Sequence, residues 1–476
     1  LIDDLKFEMN ILLIRGKPTF MDFIVGIPIG LAYIAPIAER KGHYTEILDL
    51  ALESEPEEIL REKLEERKWD LAGFGCMTAE WDAAAASARL VKAYDPSIKT
   101  VFGGQHPTIQ PEGVLSNEFA DLVCIGEGEA TFGELLDRLS TGAALGGLEG
   151  LAYKDQGKVI QTPSRRPIED VDSIPFPAYN LLDIDRYVEA ESARTTPKFE
   201  RAIQIFTSRG CPWRCTYCHD LFGKKFHPRS PENVLAEMKM LYEDYRIQEF
   251  MIEDDIFNFD MDRAKRICDL IVESKMKVAL QFGNGVRLER LDEELIQKLA
   301  AAGTHHMCIA IESASPRIQK LMRKNLKLHQ VKDVVRWSRK NGIETLGFFM
   351  IGFPTESIEE IKMTIRFACE TELDEALFSI VVPYAGTEMS RQIMDEQLYD
   401  PTDQSSLVPQ IRTSEFDIKT LKKLQRTAYV KFFLTRFRFL KMLPKLFRLR
   451  SSLKYLRAIE RNLLPEAMRR ETSRIN

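Results

Sequence analysis

Short apolar runs alternate with helical stretches twice along this chain, and a proline-rich break separates the two series. In the first series, NILLIR (10–15), YTEILDLA (44–51), DLAGFGCM (70–77), KTVFGGQH (99–106) and ADLVCIGEGE (120–129) read as buried strands. Between them, GLAYIAPIAERKG, PEEILREKLEERK and AEWDAAAASARLVKAY carry helical periodicity, and ATFGELLDRL closes the series. Apolar strands joined through helices pair side by side in parallel, with helices packed on both faces. Residues 1–140 are therefore expected to form an α/β domain with a doubly wound parallel sheet.

The pattern changes over residues 141–200. LAYKDQGKVIQ reads as a hairpin turning at Asp155, Gln156 and Gly157. IPFPAY (174–179) brings in two prolines, as an extended linker does. The second series starts at RAIQIFTSRGC and runs through EFMIEDD (249–255), ALQFGNG (279–285), HHMCIAIES (305–313), TLGFFMIGF (345–353) and ALFSIVVP (376–383). Six strands with helices between them over 201–395 predict a partial (β/α)6 barrel, a TIM-like arrangement with its chemistry at the carboxyl ends of the strands. Residues 396–476 are expected to be helical, and their end is basic and amphipathic. From Val430 to Asn476 there are 13 Lys/Arg against 3 Asp/Glu, a net +10 in a chain whose total is −6. Phe432, Phe433, Phe437, Phe439, Leu440 and Phe447 interleave with these bases. Such a segment suits a cap packed on the barrel, and alternatively a peripheral membrane contact, a hydrophobic substrate or a nucleic-acid contact.

The length of 476 residues predicts two to four domains. The acidic balance argues against a nucleic-acid partner. No apolar run reaches the roughly 18 residues of a spanning helix. The opening LIDDLKFEMNILLIRG lacks a basic leader and a cleavage site, so no signal peptide and a cytoplasmic location are expected. Of the eight cysteines, Cys76, Cys124, Cys268, Cys308 and Cys369 are scattered through apolar segments. They read as buried, hydrophobe-like thiols rather than a disulfide framework.

The other three form Cys211-x3-Cys215-x2-Cys218 within TSRGCPWRCTYCHD. Three thiolates on one tight loop can hold three corners of a [4Fe-4S] cluster, and the missing fourth ligand leaves one iron open for catalysis. Zinc is the alternative, with His219 adjacent, but no second cysteine pair follows. The spacing, with the aromatic Tyr217 before the last cysteine, resembles the signature of the radical S-adenosylmethionine superfamily. The resemblance covers about residues 200–390. It implies that the open iron chelates S-adenosyl-L-methionine, that one electron cleaves the sulfonium to a 5′-deoxyadenosyl radical, and that a reductant such as flavodoxin or ferredoxin supplies that electron.

The resemblance also implies cofactor-binding positions. EDDIF brings Glu253, Asp254 or Asp255 to the methionine ammonium, though acidic residues ending a strand also cap helices. Glu312 in IES is implied to meet the ribose. Gly352 in MIGFP is placed beside the adenine, and Pro383 and Tyr384 in VVPYAGTEM flank the base. Arg287 is implied to meet the substrate or the carboxylate, its alternative being an ordinary surface arginine.

The first domain lacks GxGxxG at its first turn, which argues against nicotinamide or flavin. Its loops GIPIGL, FGGQHPT and IGEGEAT are similar to those of the cobalamin-binding domain that precedes many radical S-adenosylmethionine domains. That Rossmann-like resemblance covers about residues 8–140 and singles out Met77, Thr78, Gly103, Gly104, Gln105, His106, Gly126 and Glu127. His106 also reads as a loop histidine bonded to backbone. DxHxxG is absent, so the resemblance implies a cobalt whose lower face is not ligated by that motif's histidine. The three extra cysteines of methylthiotransferases are absent too, since the first domain has only Cys76 and Cys124.

Together these features imply a cobalamin-dependent radical methyltransferase acting on a carbon of a small molecule. The alternatives are the same cofactors driving cyclisation, ring contraction or rearrangement of a tetrapyrrole- or lipid-like substrate, and a non-enzymatic iron–sulfur or cobalamin carrier or sensor.

Overall fold

The structure is a computed structural model; it describes residues 8–18, 26–191, 198–219, 221–398 and 411–440. They fall into two units. The first takes the chain up to Ala190 together with Arg209–Pro212 and Asp220–Arg229. The second takes Glu191–Ser208, Trp213–His219 and the chain from Ser230 onward.

The first unit is built on a seven-stranded sheet. Its strands are β1 (Asn10–Arg15), β2 (Tyr44–Asp49), β3 (Leu71–Gly75), β4 (Lys99–Gly103), β5 (Leu122–Cys124), β6 (Leu151–Asp155) and β7 (Lys158–Gln161). Their spatial order is 2-1-3-4-5-6-7, and β1 to β5 are parallel. Successive residues of β1 feed opposite cores: Leu12 and Ile14 join one apolar cluster, Ile11 and Leu13 the other. A strand buried on both faces has no polar alternation, which is why NILLIR is apolar throughout. Helices Ile29–Arg40 and Gly128–Thr141 supply one cluster, and helices Pro56–Glu66 and Trp81–Tyr94 the other. Gly16, just past β1, lets the helix Trp81–Tyr94 come close, since a Cβ there would lie 2.5 Å from the Ala83 carbonyl carbon.

The hairpin read at Asp155, Gln156 and Gly157 extends the first sheet: β6 pairs antiparallel with β5, and β7 with β6. β5 is only three residues long, and the hairpin covers what would be an open edge. The sheet is thus mixed at one side.

The second unit holds six parallel strands in chain order: β8 (Ala202–Ile205), β9 (Glu249–Ile252), β10 (Ala279–Val286), β11 (Thr304–Glu312), β12 (Glu344–Ile351) and β13 (Glu375–Ile380). The sheet runs from β8 to β13 without those two pairing, the open form of a (β/α) barrel. The helix Ile418–Leu434 lies against β13. Its Gln425 amide donates to the Phe378 carbonyl (2.6 Å), and the Tyr429 hydroxyl accepts from the Phe378 N–H (3.1 Å). Phe432 is fully buried, whereas Leu434 and Phe437 are exposed. The described start of the basic tail is therefore a cap on an edge strand. The expectation for residues 441–476 lies outside the described residues. Among the described residues, no helix is long and apolar enough to cross a membrane.

Candidate active site

The cysteine loop leaves the end of β8, and the expected binding residues of the second unit fall at the same, carboxyl, edge of the sheet. Glu253, Asp254 and Asp255 follow β9 directly, Arg287 follows β10, Glu312 ends β11 and Gly352 follows β12. Pro383 and Tyr384 lie just past β13, the proline buried and the tyrosine half exposed. This common edge is fixed by the parallel topology, which brings residues as distant in sequence as Glu253 and Tyr384 to one edge.

The three acidic residues after β9 divide by burial. Asp254 is buried, and its oxygens accept from the Thr207 N–H (2.6 Å), the Thr207 hydroxyl (2.6 Å) and the Ser208 hydroxyl (2.5 Å). Its carboxylate is committed to the segment that leads into the cysteines. Glu253 and Asp255 are half-buried. A Cβ on Gly283 would lie 3.5 Å from Glu253 Oε1, so that carboxylate reaches over β10 at a glycine. There β10 is irregular, with Gly285 at φ +93°.

Glu312 sits in a buried polar cluster. Lys324 Nζ lies 2.7 Å from Glu312 Oε1 and 3.2 Å from the Tyr217 hydroxyl, which is itself 3.3 Å from Glu312. Glu312 and Lys324 are both buried. Burial, then the Glu312 charge, pushes the Tyr217 phenol well above its ordinary value, so it stays protonated as a donor. Glu312 has φ +67°, and Arg323 and Asn325 on either side of Lys324 also have positive φ. Left-handed backbone at non-glycine residues costs free energy and collects at functional sites. The Arg287 guanidinium stacks 4.3 Å from the Trp213 ring centre, pairs with Glu289 (3.1 Å) and donates to the Lys324 carbonyl (2.5 Å). It is no surface arginine: it ties the cysteine loop to the Lys324 turn.

Gly352 has φ +91°, and its N–H and that of Phe353 donate to Glu356 Oε2 at 2.7 and 3.2 Å. Glu356 is fully buried, and burial pushes its carboxyl up to about 8 against these two hydrogen bonds. Sequence reasoning missed Lys324, Glu356 and Trp213. Glu356 closes a tight turn four residues after Gly352, a short-range signal that was readable; Lys324 gave none.

In the first unit, the loops after β3, β4 and β5 gather at the carboxyl edge beside the point between β1 and β3 where the strand order reverses, where doubly wound sheets bind ligands. Gly104 has φ +96°, and a Cβ there would sit 2.9 Å from the Cys76 carbonyl oxygen. The Cys76 N–H donates to Gly103 O (3.1 Å), and Cys76 O accepts from the His106 N–H (3.3 Å). Met77 is 47% exposed, its N–H held by Glu80 (2.9 Å), and Thr78 and Gln105 are half-buried. The His106 ring is buried and stacks on Trp81, centroids 4.7 Å apart. Burial lowers its pKa, and its Nδ1 has no hydrogen-bond partner among the described residues. The Gly126 N–H, at φ +79°, donates to Thr108 (3.0 Å). Glu127 instead gives its oxygens to Arg209 (2.9 Å) and the Ile168 N–H (2.6 Å).

The thiols of the cysteine loop are the accessible ones, although among the described residues no three His, Cys, Asp or Glu side chains are gathered so as to hold a metal ion. Cys211 and Cys215 are half-buried and Cys218 exposed, whereas Cys76, Cys124, Cys268 and Cys308 are buried. Burial pushes those four thiols up, Cys124 and Cys268 to about 12, and so keeps them protonated and inert.

The sequence model of the Radical SAM superfamily matches residues 205–368, and that of the B12 binding domain matches residues 25–136. The chain belongs to the cobalamin-dependent radical S-adenosylmethionine enzymes, whose cofactors are a four-iron cluster, S-adenosylmethionine and cobalamin. It is similar to an uncharacterised methyltransferase of Pyrococcus horikoshii, 34% identical over 86% of this chain and 88% of the relative. It is also similar to the cytidylyl-2-hydroxyethylphosphonate methyltransferase of Streptomyces wedmorensis, 28% identical over 79% of each. Its fold is that of the radical S-adenosylmethionine methyltransferase TsrM of Kitasatospora setae, at 19% identity and a TM-score of 0.70 over 86% of this chain and 82% of the other.

Proposed function

We propose that this enzyme methylates a carbon centre of a small-molecule substrate. The observation that carries the proposal is the single carboxyl edge that holds the cysteine loop, Glu253, Glu312 and Gly352. Methyltransferase relatives spanning most of the chain support it. In this reading Cys211, Cys215 and Cys218 hold the cluster. Bound there, the cluster and S-adenosylmethionine supply the radical, and cobalamin supplies the methyl group.

The chain's own residues do the positioning. Glu253 and Asp255, rather than the committed Asp254, face the methionine ammonium. Glu312 accepts from the ribose hydroxyls, held by Lys324 and by the protonated Tyr217. The Gly352 backbone and Pro383 flank the adenine, with Tyr384 at the rim, and Arg287 steadies the loop through Trp213. In the first unit Met77, Thr78, Gly103, Gly104, Gln105 and Gly126 line the cobalamin, with His106 neutral beneath them. A low-potential donor such as flavodoxin or ferredoxin and a reduced cytoplasm complete the reading. A hydrophobic substrate and a peripheral membrane contact of the basic tail are further parts of it.

The test uses anaerobically reconstituted protein loaded with cobalamin, given S-adenosylmethionine carrying a deuterated methyl group and a strong reductant. With a small-molecule substrate supplied, methylation requires S-adenosylhomocysteine, 5′-deoxyadenosine and a product carrying the deuterated methyl group to form together. Ring closure or rearrangement would give 5′-deoxyadenosine with no S-adenosylhomocysteine, and that outcome overturns the proposal.

A further inference from the structure

An ion cluster in the first unit sits immediately before the cysteine loop and has no role in the reading above. Arg209 Nη1 lies 2.9 Å from Glu127 Oε1, and Nη2 lies 2.5 Å from Glu129 Oε1. The three side chains are 6%, 7% and 8% exposed. The Tyr33 and Phe222 rings flank the guanidinium at 5.1 and 5.2 Å. Two carboxylates face one cation, and the excess negative charge lies at the amino end of helix Gly128–Thr141, where the helix dipole favours it. Burial alone works against the Arg209 charge, but Glu129 and Glu127 outweigh it and raise its pKa. A buried fork of this kind is rigid, because removing one partner strands the other's charge.

The next residue is equally constrained. Gly210 has φ +76°, and a Cβ there would lie 2.2 Å from the Lys225 carbonyl oxygen. Both residues that lead into Cys211 are thus fixed, one by its side chain and one by its backbone. Cys211 follows after a single residue, within about 7 Å of chain from Arg209.

We propose that Arg209 is a positioning residue for the iron–sulfur cluster: Glu127 and Glu129 fix its guanidinium, and through Gly210 it aims the Cys211 thiolate. The GEGE turn, read from sequence as a cobalamin loop, then serves the cluster through its two glutamates. Groups that hold a metal ligand in place typically contribute about 10- to 100-fold in metal affinity.

The proposal rests on the assignment of the three cysteines as cluster ligands. Wild type, Arg209→Met, Arg209→Lys and Glu129→Gln are reconstituted anaerobically with iron and sulfide and loaded with cobalamin. The readouts are iron retained against a chelator, the electron paramagnetic resonance spectrum of the reduced protein with and without S-adenosylmethionine, and bound cobalamin as a check that the first unit has folded. Arg209→Met is expected to lose chelator resistance roughly tenfold and to show an altered spectrum while still binding cobalamin, with Arg209→Lys recovering part of the loss. A merely structural pair would lower the melting temperature and leave the spectrum of the folded protein alone. A folded Arg209→Met with wild-type spectrum and chelator resistance overturns the proposal. Should that variant fail to fold, Glu129→Gln is read by the same criteria, and an unchanged spectrum there is equally decisive. Wild-type protein that takes up no cluster rejects the ligand assignment instead, which keeps the two failures apart.

Discussion

Lys324 and Glu356 show how single residues hold this site. Lys324 is buried against Glu312 and Tyr217. Replacing it with methionine strands a buried carboxylate, and we predict a loss of about 3–5 kcal/mol in denaturant unfolding. S-adenosylmethionine binding, read by calorimetry, should weaken in parallel; unchanged stability and binding would remove Lys324 from the account. Glu356 makes a pH prediction. Its carboxyl is raised from 4.5 to about 8 by burial, so the folded state holds its proton more tightly than the unfolded chain. That stability is complete below the unfolded value and is lost as pH rises through about 8. Against Glu356→Gln, the wild type should lose on the order of 1.4 kcal/mol per pH unit across this window. Parallel stability–pH curves for the two proteins would contradict the assignment. Glu312 was readable because IES ends an apolar strand. Lys324 was not, since it reaches Glu312 only through a turn whose positive-φ residues, Arg323 and Asn325, carry no sequence signature.

At the scale of elements, the strands were legible because each is an uninterrupted apolar run bounded by a turn, and β1 matches its expected span residue for residue. Pairing was less so. The hairpin β6–β7 was recognised by its turn, but nothing in LAYKDQGKVIQ says which sheet edge it joins. Close approaches between elements leave a sharper mark, in glycine. Gly104→Ala puts a methyl against Cys76 O at positive φ, and should cost about 1–3 kcal/mol and reduce retained cobalamin on gel filtration. Full retention would mean that the β4 loop does not meet the cofactor. The tail cap has its own anchor. Arg438 is buried and donates to the carbonyls of Leu373 (3.1 Å), Phe432 (3.1 Å) and Thr371. It closes the end of helix Ile358–Glu370 and the turn before β13. Arg438→Met is predicted to lower stability by about 2–3 kcal/mol, whereas a basic residue kept for an external anionic surface would be replaced at no such cost. From sequence this arginine looked like one of thirteen bases; only burial separates it from them.

For the whole molecule, the tandem of two α/β units was readable from two series of strands and one cysteine spacing, and the comparisons agree with both. The division of labour within the site was not, because it depends on which carboxylates are buried. Asp254 and Glu127 look like ligands in sequence, yet they hold Thr207, Ser208 and Arg209, the segment that leads into Gly210. The central claim is that Cys211, Cys215 and Cys218 carry a cluster that cleaves S-adenosylmethionine. The most direct measurement compares wild type with the triple alanine variant at these positions, both anaerobically reconstituted and reduced, by quantifying 5′-deoxyadenosine released from S-adenosylmethionine. The account predicts that it forms in the wild type and is absent from the variant. Cluster-bearing wild type that releases none, or a variant that releases as much, would contradict it.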